Sequence, residues 1–275
     1  MKIIRVFPTK TSMTPIDDDV RINKTPELFD EADEVHISCL FSWDKQRAEQ
    51  LAEEWSRAKF NVKLGGVAFS SPSEEFVVGR YVKQGAVITS RGCNNKCWFC
   101  NVWRKEGTLR ELPIQEGYIL LDNNILACSR EHIFKVFDML KKQKEGARLV
   151  GGLEAKILDD WCAEKIAWLN PRRMYFAYDT PDDREPFIEA MKKLDEYKVP
   201  NYSRYCYCLC GYKGDSFDKA EKRLRDIWKY GAKPFAMLYR DESGETSKEW
   251  RKFQRQFTRP EIAFSILTNK TKVIY

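Results

Sequence analysis

The chain has 275 residues, enough for one large domain, or a domain with an appendage, around a buried core. Apolar residues make up 43% and charged residues 32%, the proportions of a soluble globular protein, and no run approaches the roughly 18 apolar residues that a membrane-spanning helix needs. The excess of 47 Lys and Arg over 41 Asp and Glu gives +6, which permits an acidic or nucleic-acid partner but, with no dense basic block, does not demand one.

The stretch Met1-Lys2-Ile3-Ile4-Arg5-Val6-Phe7 is too short in apolar length for a signal peptide and shows no small-residue cleavage site, so a cytoplasmic location is expected. Nine cysteines in that compartment read as ligands or core thiols before disulfides, and the odd number agrees.

Residues 1–80 are expected to form a small α/β domain. Lys2 to Phe7 and Glu34 to Leu40 read as strands, and the polar stretch between them, with Asp17-Asp18-Asp19, reads as loop. From Lys45 to Lys59, Ala48, Leu51, Ala52, Trp55 and Ala58 recur at helical spacing. Asn61 to Leu64 returns to strand and Gly65-Gly66 follows directly, which makes a Rossmann-like strand–helix–strand unit. His36 lies inside an apolar strand and reads as a packed or hydrogen-bonded histidine rather than a metal ligand.

From Tyr81 onward strand and helix patterns alternate with short connections. Gly85 to Thr89 is the first strand, and it runs into Arg91-Gly92-Cys93-Asn94-Asn95-Lys96-Cys97-Trp98-Phe99-Cys100. The later strands are expected at Gly117 to Leu121, Arg148 to Val150, Arg173 to Tyr178, Tyr202 to Cys210 and Pro234 to Tyr239. Helices stand between them, one with Ile133, Val136, Phe137 and Leu140 on a face and one starting at Ser216 as N-cap. Six βα-type units in sequence imply parallel strands joined by right-handed crossovers, and no two strands are linked tightly enough for a hairpin. A further helix is expected at about Lys248 to Phe257.

Cys93, Cys97 and Cys100 on a loop can wrap three thiolates around a metal centre. A zinc site would need a fourth ligand, usually from a second paired spacing, and no second pair exists. Three close thiolates suit a four-iron–four-sulfur cluster with one iron left open. This spacing, with aromatic Phe99 just before the third cysteine, resembles the signature of the radical S-adenosylmethionine (SAM) superfamily. The resemblance implies that the three cysteines hold a [4Fe-4S] cluster and that its open iron chelates the methionyl amine and carboxylate of SAM. It further implies that an electron from the cluster cleaves SAM to a 5′-deoxyadenosyl radical. The fold implied is α/β, a parallel (β/α)6 partial TIM barrel over 81–243, preceded by the Rossmann-like domain and followed by a C-terminal extension at 244–275. In placement, residues 1–80 resemble the cobalamin-binding-type domain of some radical SAM enzymes. Its Asp-x-His-x-x-Gly motif is absent, which argues against cobalamin.

Reactive groups of parallel βα barrels gather at the C-terminal strand ends. Strand two offers Asp122-Asn123-Asn124 where family members carry a Gly-Gly-Glu-type motif; Asp122 and the amide carbonyls of Asn123 and Asn124 are acceptors for the SAM ammonium, or else a capping turn. Strand three ends in Gly151-Gly152-Leu153-Glu154-Ala155-Lys156, one strand late for that motif. Alternation would put Glu154 and Lys156 on one side, Lys156 toward the SAM carboxylate and Glu154 toward substrate or ribose, or the two paired with each other. Asp179 is placed for the ribose hydroxyls, although Thr180-Pro181-Asp182-Asp183 also reads as a helix-starting turn. Tyr239 and Arg240 at the end of strand six are candidates for substrate contact, Arg240 through an anionic group. Cys206, Cys208 and Cys210 share one face of strand five and read as core thiols, spread too far along the strand for one cluster.

The reading is a radical SAM enzyme with an unknown substrate, supplied with electrons by a flavodoxin or ferredoxin-type donor. The alternatives are a cobalamin-dependent or methylthio-type radical transferase, an electron-transfer iron–sulfur protein, and a nucleic-acid-binding module.

Overall fold

The computed structural model describes residues 1–70, 76–241, 243–268 and 273. The chain divides into two compact units, one of residues 1–86, 101–107 and 242–244, the other of residues 87–100, 108–241 and 245–275.

The first unit is a four-stranded sheet of β1 (Ile3–Phe7), β2 (Val20–Ile22), β3 (Glu34–Ser38) and β4 (Val62–Gly65), ordered β2-β1-β3-β4 and parallel throughout. Helix α1 (Lys45–Arg57) lays Ala48, Leu51 and Trp55 on Ile4, Val6, Val35 and Ile37. The other face is polar. His36 there bonds Tyr81 Oη through Nδ1 (2.6 Å) and Glu34 Oε2 through Nε2 (2.8 Å), which leaves neither ring nitrogen for a metal. Strand β2 falls in the polar stretch read as loop. It forms because Val20, Arg21 and Ile22 pair with Arg5, Val6 and Phe7, while the Arg5 guanidinium donates to Asp17 and to the carbonyls of Gly79 and Arg80. Gly66 (φ +105°) needs no ligand to explain it, since a Cβ there would lie 2.5 Å from the Cys39 carbonyl oxygen. The single-turn helix α2 (Val102–Lys105) is tied to this unit by Lys105 Nζ, which donates to the carbonyls of Val67 (3.1 Å) and Ala68 (3.4 Å).

The second unit is built on a six-stranded sheet whose spatial order follows the sequence. Its strands are β5 (Ala86–Val87), β8 (Ile119–Leu120), β9 (Arg148–Leu153), β10 (Arg173–Ala177), β11 (Arg204–Cys210) and β12 (Lys233–Leu238), and the pairings from β8 to β12 are parallel. Helices α3 (Arg130–Lys141), α4 (Asp160–Leu169), α5 (Arg184–Glu196) and α6 (Phe217–Lys229) make the crossovers from β8 onward. Ser129, Asp159 and Ser216 cap α3, α4 and α6 by accepting from the backbone N–H three residues on. Helix α7 (Lys248–Thr258) packs on β12, with Gln254 donating to the Ala236 carbonyl (3.3 Å), and α8 (Pro260–Leu267) follows it. Among the described residues no helix is long and apolar enough to cross a membrane.

The first connection departs from the expected βα pattern. In place of a long crossover helix it carries the cysteine loop and the single-turn α2, closed at its root by an antiparallel pair of β6 (Ser90–Arg91) and β7 (Arg110–Glu111). Leu112 N–H also donates to the Thr89 carbonyl (2.8 Å), so a hairpin-like ladder exists where none was expected. Strand β9 bulges where Gly151 passes Asp122, and a Cβ on Gly151 would sit 1.8 Å from the Asp122 carbonyl oxygen.

That crossing can be tested. Gly151→Ala should lower stability by about 3 kcal/mol, the upper end of overpacking costs. Gly107→Ala, whose Cβ would meet nothing within 4 Å, should cost only about 1 kcal/mol for its left-handed backbone (φ +77°). Equal urea midpoints for the two variants would contradict the crowded crossing.

Candidate active site

The site is read from the end of β5 outward. Asp122, 1% exposed, accepts three hydrogen bonds there, from Thr89 N–H on Oδ1 (2.6 Å) and from Thr89 Oγ1 (2.6 Å) and Ser90 Oγ (2.8 Å) on Oδ2. Burial raises its pKa above the ordinary value, and the hydrogen bonds act in the opposite sense. Expected as a receiver of the SAM ammonium, Asp122 instead points its carboxylate at the preceding strand, because two hydroxyls and an unladdered N–H converge on it.

Beyond this root Gly92 (φ +79°) turns the chain into the cysteine loop. Cys93 Sγ accepts from Asn95 N–H (3.4 Å), Asn94 Oδ1 accepts from Leu109 N–H (3.1 Å), and Cys100 N–H donates to the Cys97 carbonyl (3.1 Å). All three cysteines are free thiols and half-buried. The Cys97 thiol is pushed above its ordinary pKa first by burial, then by the negative charge of Cys100 and Cys93, then by that of Asp183 and Asp179. Among the described residues no three His, Cys, Asp or Glu side chains are grouped to hold a single metal ion. A [4Fe-4S] cluster would make a different demand, one thiolate on each of three irons, and Cys93, Cys97 and Cys100 are the three free thiols of this loop.

Trp98, 49% exposed, packs against Phe99 (5.2 Å between ring centroids), Tyr212 (5.4 Å) and Tyr239 (5.8 Å). The loop after β5 thus meets the residues after β11 and β12, at the far edge of the sheet order. Tyr239 N–H continues the ladder to the Cys210 carbonyl (2.9 Å), and Arg240 is exposed beside it.

At the ends of β8 and β9, Asn124 is 4% exposed and donates Nδ2 to Glu154 Oε2 (2.6 Å). Its Oδ1 is buried without a hydrogen-bond partner among the described residues. The Asn123 carbonyl oxygen lies 3.5 Å from where a Gly152 Cβ would be, an ordinary contact, so of the two glycines in the Gly-Gly-x-Glu stretch only Gly151 is demanded by the close passage of β9 past Asp122. Glu154 and Lys156 do not alternate on a strand, since β9 ends at Leu153 and residues 155–157 form a 3-10 turn. Lys156 instead pairs with Asp183 (3.6 Å), so the mutual ion pair does not form.

Asp179 Oδ1 accepts from Leu209 N–H on the neighbouring strand (2.7 Å). Burial first, and Asp183 second among the groups that raise it, lift its pKa to about 6 against the Leu209 N–H and Arg223. Asp183 Oδ2 accepts from the N–H groups of Asp179 (3.1 Å) and Thr180 (2.8 Å) and from Thr180 Oγ1 (2.9 Å), which makes 180–183 a helix-starting turn as well. Below β11, buried Arg223 donates to the Leu209 carbonyl (2.9 Å) and to Asp215 (2.9 Å), and lies 5.5 Å from the Tyr212 ring. Cys206, Cys208 and Cys210 are fully buried, with Cys208 against Arg223 of α6. They face the helices, opposite Tyr205, Tyr207 and Leu209, and are core thiols. Trp98, Tyr212, Thr89 and Asp183 were not singled out from sequence. Only Trp98, inside the motif itself, carried a signal that would have found it.

No protein-family profile matches the sequence, and no curated protein is detectably similar to it. Solved structures are. A radical S-adenosylmethionine methyltransferase, TsrM, from Kitasatospora setae with cobalamin and a [4Fe-4S] cluster bound aligns with a TM-score of 0.60 at 11% identity, over 86% of this chain and 74% of that one. The same enzyme with its tryptophan substrate and a SAM analogue aligns with 0.59 at 11% identity, over 86% and 72%. At such identity the likeness is one of fold: a mixed α/β chain with parallel sheets.

The Asp179 geometry predicts a pH dependence. A carboxyl whose folded pKa (about 6) exceeds its ordinary 3.8 binds more protons folded than unfolded between those values. Its contribution to stability should fall as pH rises from about 4 to about 6 and then level off. Asp179→Asn should flatten that part of the stability–pH curve relative to wild type, and identical curves would refute the assignment.

Proposed function

We propose that this chain is a radical SAM enzyme in which Cys93, Cys97 and Cys100 hold a [4Fe-4S] cluster. The observation that supports it best is the meeting, through Trp98, of a three-thiol loop after β5 with the residues that follow β11 and β12; at the end of β8, Asn124 Oδ1 is buried without a hydrogen-bond partner among the described residues. Held by Cys93, Cys97 and Cys100, a reduced cluster would supply the one electron needed for reductive cleavage of the sulfur–C5′ bond of SAM, and hydrogen abstraction from the substrate would follow.

The residues divide the remaining work. Asn95 N–H donates to the Cys93 sulfur and fixes its place in the loop. Asn124 Oδ1 and the Asn123 carbonyl serve as acceptors for the methionyl ammonium, with Glu154 holding Asn124 in place. Asp179 keeps Oδ2 for ribose hydroxyls while Oδ1 stays on Leu209. Lys156, half-exposed and loosely paired to Asp183, serves the methionyl carboxylate. Phe99 lines the SAM side of the loop, and Tyr239 and Arg240 face the substrate. A flavodoxin or ferredoxin-type donor provides the electron from outside.

A second reading, SAM-dependent methyl transfer with cobalamin, is favoured by a likeness to a methyltransferase that spans 86% of the chain. Both nitrogens of His36 are engaged, so that histidine would not ligate cobalt.

The two readings differ in product. The protein, purified without oxygen and supplied with iron and sulfide, should carry about four irons per chain. Reduced with dithionite and given SAM, it should release 5′-deoxyadenosine, whereas methyl transfer would leave S-adenosylhomocysteine. Alanine at Cys93, Cys97 or Cys100 should cut the product at least about a hundredfold, a loss near 3 kcal/mol in barrier terms. Wild-type yield from any of the three would end the proposal.

A further inference from the structure

We infer that Asp122 is a positioning residue that locks the root of the cysteine loop to the ligand-accepting ends of β8 and β9, so that the cluster and the amino-acid end of SAM keep one register. The inference rests on the radical SAM reading above and adds to it a residue that touches neither cluster nor SAM.

Three features converge on this residue. Its carboxylate gathers the backbone N–H and hydroxyl of Thr89 and the hydroxyl of Ser90, four and three residues before Cys93 respectively. Its own carbonyl is the atom that Gly151 passes so closely that no side chain fits. Two residues later Asn124 is tied to Glu154, which lies just beyond the end of β9. Position therefore passes from the end of β9, through the Asp122 backbone, through its carboxylate, into Thr89-Ser90 and on to Gly92 and Cys93.

Joining the two strands does not require a carboxylate. Leu121 N–H already donates to the Val87 carbonyl (2.9 Å), and the flanking Ile119, Leu120, Ala86 and Val87 are buried apolar contacts. A buried carboxylate is an expensive way to add adhesion. What it adds is direction: three donors converge on two oxygens in one geometry, and the loop leaves the sheet at one angle. Ser90 extends the hold, because it pairs with Glu111, whose carboxylate accepts from Ser129 N–H (2.6 Å) at the start of α3. Asparagine would keep the Thr89 N–H bond but turn an NH2 group toward two hydroxyls.

The experiment compares wild type, Asp122→Asn, Ser90→Ala and Thr89→Ser, each reconstituted without oxygen and brought to equal iron content. Electron paramagnetic resonance of the reduced cluster is followed as SAM is added, alongside thermal unfolding of each protein. Asp122→Asn should hold about four irons yet need at least about tenfold more SAM for the half-maximal spectral change, a difference of about 1.4 kcal/mol. Ser90→Ala should fall between, and Thr89→Ser, which keeps every donor, should match wild type. A lower melting temperature with a wild-type SAM titration would make Asp122 merely structural and overturn the inference. If Asp122→Asn does not fold, Thr89→Val and Ser90→Ala, each missing one donor, decide, and wild-type titrations from both overturn it. A wild-type cluster whose spectrum ignores SAM would instead overturn the radical SAM reading, and this inference with it.

Discussion

The second unit depends on how its first strand is held, because among the described residues the connection that follows it carries only the single-turn α2 in place of a long crossover helix. Parallel sheets are normally secured by crossovers that pack back onto them. Here β5 is two residues long, its connection is the cysteine loop, and the carboxylate of the next strand's Asp122 takes over where the ladder stops. Everything the loop presents inherits its position from that buried contact and from the short β6–β7 ladder beside it.

The later strands separate their faces sharply. Met174, Phe176, Cys206, Cys208, Cys210 and Ala236 are buried, with α6 packed against β11 and β12. The opposite face carries Tyr175 stacked on Tyr205 (5.0 Å) and Tyr207 (4.6 Å), with Arg173 and Lys233 against the Tyr205 ring. Toward the C-terminal ends it lightens to exposed Ala177 and Met237, below the ring group of Trp98, Tyr212 and Tyr239.

Much of this was legible in the residues. The helical spacing of α1, α3, α5 and α6, the serine cap at 216 and the strand–helix alternation from Arg148 onward all come from local patterns, and local physics delivered them. The triplet with Phe99 was legible too, being contiguous. The strand-end groups were harder. Asp122 looks like any strand-end acceptor until Thr89 and Ser90, more than 30 residues earlier, are known to face it. Glu154 and Lys156 obey strand alternation on paper, but β9 ends at Leu153, one residue before Glu154 and three before Lys156. Strand β2 hid in a polar stretch because its partners are backbone groups of β1. Each difference arises where a long-range contact outvotes the local pattern.

The order in which the first unit is completed differs from its order in the chain. It is assembled from three separate runs of chain, and Gly244 presses its backbone so closely on Trp43 that a Cβ there would sit 2.7 Å away. Its closing contacts span some two hundred positions, the kind of separation that slows folding. During synthesis from the N-terminus, β1 to β4 would emerge early yet lack their last segment until the entire six-stranded sheet had been made. A sheet that looks like an independent leading module is, in order of completion, among the last parts of the molecule to be finished.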